Sequence, residues 1–79
     1  HTQGACGAIE TVAAVMSIHK KTILQSINCD ALDPGCLIRV HREKRTQGNI
    51  RALLLNTFGF GGKNATLILC PFGTDTRAI

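Results

Sequence analysis

Two runs, "IRALLLN" at 50–56 and "ATLILCPF" at 65–72, are apolar at nearly every position. A strand with one face in water alternates apolar and polar residues, so a strand without alternation wants cover on both faces. Between the runs lies "TFGFGGKN", 57–64, which packs two of the chain's three phenylalanines and three of its glycines into Phe58 to Gly62. The simplest joining of the runs is a β-hairpin. A hairpin this apolar belongs inside a sheet with a layer above and a layer below. A chain of 79 residues buries only about 60% of its unfolded surface and cannot supply two such layers. It also opens on His1 with no initiator Met. The expectation is a piece of something larger.

Residues 4–19, "GACGAIETVAAVMSIH", read as a helix with Thr2 available to cap it. Ala5, Ile9, Val12, Met16 and Ile18 recur at helical intervals. Ala8, Ala13, Ala14 and Val15 fill the other faces, so the helix is expected to be buried on most sides. Gly4 to Ala8 are all small, which lets another backbone come close, at about 1 kcal/mol of helix propensity per glycine. Glu10 follows that small turn on a helix that otherwise wants no charge, and a buried carboxylate needs a partner or a cation. His19, Lys20 and Lys21 suit the negative end of the helix dipole.

Residues 22–36 look irregular, with Asp33-Pro34-Gly35 as a turn. "CLIRV", 36–40, reads as a short strand, and "HREKRTQGN", 41–49, as a polar loop. The tail 73–79 carries no usable pattern. Cys6, Cys29, Cys36 and Cys70 form no close CxxC pair, and 44% of the chain is hydrophobic. That favours four reduced, mostly buried thiols and a cytoplasmic setting over a disulfide framework. No run is long enough to span a membrane, and no signal-peptide pattern is present.

The net charge of +4 and a pI near 9.2 raise the reading of a small basic binding module. "HREKR", 41–45, with Lys20 and Lys21 would supply the contacts to nucleic acid or to an acidic protein. Against nucleic acid stand the absence of Trp and Tyr, the apolar strands and the lack of a recognised module. A solvated loop is the plainer reading.

The glycine-rich loop fails as a phosphate cradle. Lys63 is followed by Asn64 where a P-loop needs Ser or Thr, and Asn64 stands where GxGxxG needs its last glycine. Two readings stay open from the loop alone. It is a hairpin turn whose aromatics cap the core, or its glycines admit a ligand to backbone N–H donors.

Three segments taken together carry a resemblance. "HTQGACGAIE" at the front, "INCDALDPGC" in the middle and "NTFGFGGKNATLIL" at the back resemble the C-terminal end of β-ketoacyl synthases. These are the condensing enzymes of fatty-acid and polyketide assembly. The corresponding motifs there are GHxxGAAGAxE, a TINxDxPDxxC-like segment and SNSFGFGGxNAxLxL. The likeness covers residues 1–72, in order. Cys6 stands in place of an alanine of GAAG, Leu55 and Thr57 replace the serines around Asn56, and Lys63 replaces a frequent Thr. The tail 73–79 has no counterpart.

The resemblance implies an α/β, thiolase-like fold, represented here by its C-terminal portion: one buried helix, a short strand and a terminal β-hairpin. It implies a decarboxylative Claisen condensation. A Cys nucleophile takes an acyl chain from an acyl carrier protein, and two histidines hold the malonyl thioester carbonyl. By motif position His1 resembles the second histidine, with its imidazole N–H stabilising the developing enolate oxygen. Phe60 resembles the gating aromatic, whose backbone N–H joins that of the nucleophile in an oxyanion hole. Gly59, Gly61 and Gly62 would let that loop approach substrate and move, with Phe58 packed beneath. Glu10, the Leu55 carbonyl and Asn56 resemble a monovalent cation site of some members; no other metal or cofactor is implied. The nucleophile and the first histidine have no match here, and Cys6 reads as a packing residue. The isolated chain is therefore expected to be inactive. Implied partners are an acyl carrier protein, docked in part by the 41–45 cations, and the remainder of the ketosynthase. A homodimer or a heterodimer with a chain-length factor is implied as well. A non-catalytic chain-length-factor-type subunit is the alternative within the family, mildly disfavoured by His1 and FGFGG.

Overall fold

The computed structural model describes residues 1–75 and 77. A 3-10 turn at Gln3–Ala5 leads into α1, Cys6–Lys20. Two-residue strands β1, Thr22–Ile23, and β2, Thr46–Gln47, pair antiparallel. The hairpin β3, Leu53–Phe58, and β4, Asn64–Leu69, forms the second antiparallel sheet, with Leu55 opposite Leu67 and Phe58 opposite Asn64. One helix and two small antiparallel sheets are compatible with part of an α/β domain.

The helix forms where its periodicity places it. Its N-terminus has no side-chain cap: Thr2 starts the 3-10 turn and makes no capping bond, and Ala5 stands at the N-cap of α1. The preceding turn takes up the cap position instead, with the Ala5 N–H donating to the Thr2 carbonyl at 3.0 Å. Two hydroxyls on α1 satisfy themselves on the helix backbone. Thr11 Oγ1 donates to the Gly7 carbonyl at 2.7 Å and Ser17 Oγ to the Ala13 carbonyl at 2.9 Å, which permits Ser17 to be buried. Lys21 ends the helix in the left-handed region, φ 50°, with its N–H directed at the carbonyls of Ser17 and Ile18.

The hairpin closes tighter than the 57–64 loop suggests. Thr57 and Phe58 remain in β3, and Asn64 and Ala65 already belong to β4. The turn is left to residues 59–63, closed by the Gly59 N–H on the Lys63 carbonyl at 2.6 Å. Gly61 and Gly62 carry φ near +79° and +78°, the region that an L side chain resists. The Asp33-Pro34-Gly35 turn forms as read, with Asp33 Oδ1 accepting from the Gly35 N–H at 2.7 Å and the Asp33 carbonyl from the Cys36 N–H at 2.9 Å.

Three expectations are corrected. "CLIRV" is no strand: Leu37 is 98% exposed and no ladder partner meets 36–40. Apolar, β-branched composition cannot make a strand without a second strand to accept its backbone groups. The helix is not buried on most sides. Only Ala14 and Ser17 are buried, on the side packed against β3 and β1, while Ile9, Val12, Val15 and Met16 stay exposed. The faces of the hairpin are likewise uncovered at Leu54, Leu67 and Ile68. The cysteines are free, as read, yet each is half-exposed rather than buried. The exposure of helix, hairpin and cysteines has one cause: a second and third layer are not supplied by these residues.

Candidate functional site

The front motif and the hairpin turn meet. The rings of His1 and Phe60 lie 6.3 Å apart between centroids, tilted by 41°. Gln3, at φ 49°, bends the chain back so that its N–H donates to His1 Nδ1 at 3.0 Å. A neutral imidazole accepting at Nδ1 carries its proton on Nε2, leaving that nitrogen as a donor. Phe60 itself is 91% exposed at the tip of the hairpin. Among the described residues it caps no core. Phe58 is also exposed rather than packed beneath its neighbour, because the hairpin face it occupies has no covering layer.

Cys6 joins this cluster. Its Sγ lies 3.6 Å from His1 Nδ1. Hydrogen bonds from the Thr2 side chain and backbone hold the thiol below its ordinary range, opposed by partial burial and by the charge of Glu10. Sequence reasoning placed Cys6 among packing residues. The 3-10 turn folds residue 1 back over the first residue of the α-helix, which brings the two side chains together.

Glu10 points to the hairpin. Its Oε2 accepts from Thr57 Oγ1 at 3.4 Å, across the interface of α1 and β3. Strand alternation puts Leu55 and Thr57 on the face toward α1, where with Ala65 and Leu67 they form the floor of a groove beside Gly7, Ala8 and Thr11. Asn56 faces the other way, and its Oδ1 accepts from Thr66 Oγ1 at 2.9 Å. The side chains of Glu10 and Asn56 therefore stand on opposite faces of β3. Among the described residues no three His, Cys, Asp or Glu side chains cluster as metal ligands, and no helix is long and apolar enough to cross a membrane.

The basic stretch is partly used inside the molecule. Arg42 Nη1 donates to the carbonyls of Cys29 at 3.3 Å and Asp30 at 3.4 Å. The Arg42 carbonyl accepts from Gln25 Nε2 at 2.9 Å, and the His41 carbonyl from the Ser26 N–H at 2.7 Å. These bonds knit 41–42 to 25–30, beside the β1–β2 ladder. In the tail, Arg77 pairs with Asp75 at 3.1 Å in an exposed bridge.

Comparison with known proteins shows what this sequence is similar to. Curated relatives over 85–91% of the chain are 3-oxoacyl-[acyl-carrier-protein] synthases. "3-Oxoacyl-[acyl-carrier-protein] synthase 2" of Coxiella burnetii is 39% identical over 69 residues, 87% of this chain and 17% of the relative. The chloroplastic synthase II of Arabidopsis thaliana is 37% identical over 73 residues, 91% of this chain and 14% of the relative. Synthase 1 of Haemophilus influenzae is 37% identical over 71 residues, 86% and 17% respectively. The chain thus spans about one sixth of the length of the curated relatives it matches, which agrees with its being a segment of a ketosynthase. No family model and no solved structure matches it.

Proposed function

We propose that residues 1–72 are the closing segment of a β-ketoacyl-ACP synthase domain of thiolase-like fold, contributing His1 and Phe60 to its condensing site. The observation that carries the reading is the meeting of the His1 and Phe60 rings, since these residues come from the two motifs that resemble the family's site. In the complete enzyme an acyl chain passes from an acyl carrier protein to a Cys nucleophile supplied by the rest of the domain. His1 Nε2–H, held in that tautomer by the Gln3 amide on Nδ1, donates to the thioester oxygen of the malonyl unit. As carbon dioxide leaves, negative charge gathers on that oxygen, and a preset donor lowers the barrier where charge develops. The carbanion then attacks the acyl-cysteine. Phe60, unpacked at the tip of a turn with two glycines in the left-handed region, gates acyl entry.

The uncovered apolar faces of α1, β3 and β4 are the surfaces that the rest of such a domain would cover. The isolated chain has neither the nucleophile nor the first histidine, so it condenses nothing. The test is a segment swap. Residues 1–72 replace the matching stretch of the Coxiella burnetii synthase, and condensation with malonyl-ACP is measured beside the isolated chain. The swapped enzyme should turn over and the isolated chain should not. A folded but inactive swap, or turnover by the isolated chain, contradicts the proposal.

A further inference from the structure

A second contact joins the two elements whose ends meet at His1 and Phe60. Thr57 Oγ1 donates to Glu10 Oε2 at 3.4 Å, between half-buried side chains 47 positions apart. Among the described residues it is the one side-chain hydrogen bond between α1 and the hairpin. We propose that Thr57 is a positioning residue: its hydroxyl on Glu10 sets where the hairpin sits along α1 and so holds Phe60 against His1. The inference rests on the proposed function for what Phe60 does, while the hold itself is a property of this chain.

The rest of the interface does little to fix that setting. Gly7, Ala8 and Thr11 line the helix side of the groove that Thr57 faces. A Cβ at Gly7 would meet nothing within 4 Å, so side chains do not interdigitate there. Thr11 Oγ1 is turned back on the Gly7 carbonyl at 2.7 Å and does not cross the groove. Apolar contact is non-directional, whereas a hydrogen bond favours one arrangement. This one is long for a hydroxyl donor, and its carboxylate acceptor strengthens it.

Thr57 stands where its setting passes to the tip. It pairs with Ala65, next to the last rung, Phe58 with Asn64. Beyond that rung the turn is closed by the Gly59 N–H on the Lys63 carbonyl at 2.6 Å. Phe60 is exposed, and its ring partner is His1. His1 is held from the helix side, by the Gln3 amide on Nδ1. Loosening Thr57 therefore displaces Phe60 and leaves His1 in place.

The test compares Thr57→Val, which removes the hydroxyl, with Thr57→Ser, which keeps it. In the segment-swapped synthase, Thr57→Val should slow acyl transfer from acyl-ACP about tenfold, the scale of a small misplacement near the site. Malonyl-ACP decarboxylation, which draws on His1, should stay at its unsubstituted rate, and Thr57→Ser should restore acyl transfer. In the full chain, the nuclear Overhauser contact between the His1 and Phe60 rings should be present, vanish in Thr57→Val and return in Thr57→Ser. Unchanged acyl transfer in Thr57→Val, an equal fall in both steps, or a ring contact that survives Thr57→Val overturns the proposal. An unsubstituted swap that does not turn over contradicts the proposed function instead, and the ring contact then decides this inference alone. Should Thr57→Val fail to fold by circular dichroism, Glu10→Ala removes the acceptor from the helix side and is read the same way.

Discussion

The rings of His1 and Phe60 stand 6.3 Å apart although the two residues come from opposite ends of the chain's motifs. A tilted pair at that separation is worth about 0.5–1.5 kcal/mol when buried, and less where both rings face water. Phe60→Ala is therefore expected to cost the chain about 0.5 kcal/mol or less in urea unfolding. In the segment-swapped synthase the same change should lower acyl transfer at least about tenfold, because there the ring and its loop are proposed to govern entry of the acyl chain. Equal small effects in both settings would detach Phe60 from the site.

Two glycines should respond with opposite signs. A Cβ at Gly61 would meet nothing within 4 Å, so the cost of Gly61→Ala is backbone strain at φ +79° alone, about 1–2 kcal/mol. A Cβ at Gly7 also meets nothing, in a helical conformation, and Gly7→Ala should stabilise the chain by about 0.5–1 kcal/mol through helix propensity. Urea midpoints of the two variants check this. In the complete domain, where the small turn around Gly7 is proposed to admit a neighbouring backbone, Gly7→Ala should be destabilising instead.

Lys21 ends α1 at φ 50°. A non-glycine residue there costs about 1 kcal/mol that glycine does not pay. Lys21→Gly is expected to raise stability by roughly that amount, read as a higher urea midpoint with an unchanged slope.

The open faces predict association. Val12 is 64% exposed beside Ile9, Val15 and Met16. Contiguous apolar surface of this kind drives self-association or dye binding. Sedimentation of the isolated chain should show concentration-dependent association, reduced in Val12→Lys. A monomer at all concentrations that binds no hydrophobic dye would count against the missing-layer account.

The helix and hairpin were legible because their signals are local: apolar residues at helical spacing from Ile9 to Ile18, and two apolar runs bracketing a glycine-rich turn. The β1–β2 ladder was not, since Thr22–Ile23 and Thr46–Gln47 are two residues each, too short to show a periodicity. "CLIRV" misled because strand composition says nothing about whether a partner strand exists. For the candidate site, the motifs singled out His1 and Phe60, whose rings meet, but the partner of Glu10 was not legible. That Thr57 rather than Asn56 faces it follows from strand alternation in a register known only once the hairpin forms. The His1–Cys6 pair was hidden for the same kind of reason, because it depends on a 3-10 turn at Gln3–Ala5.

The most direct test of the central claim is the decarboxylation of malonyl-ACP by the segment-swapped synthase, with and without His1→Ala. The account predicts a loss of about 100- to 1000-fold in kcat, the usual consequence of removing one oxyanion donor, with the folded structure kept. Undiminished decarboxylation in the His1→Ala enzyme would contradict it.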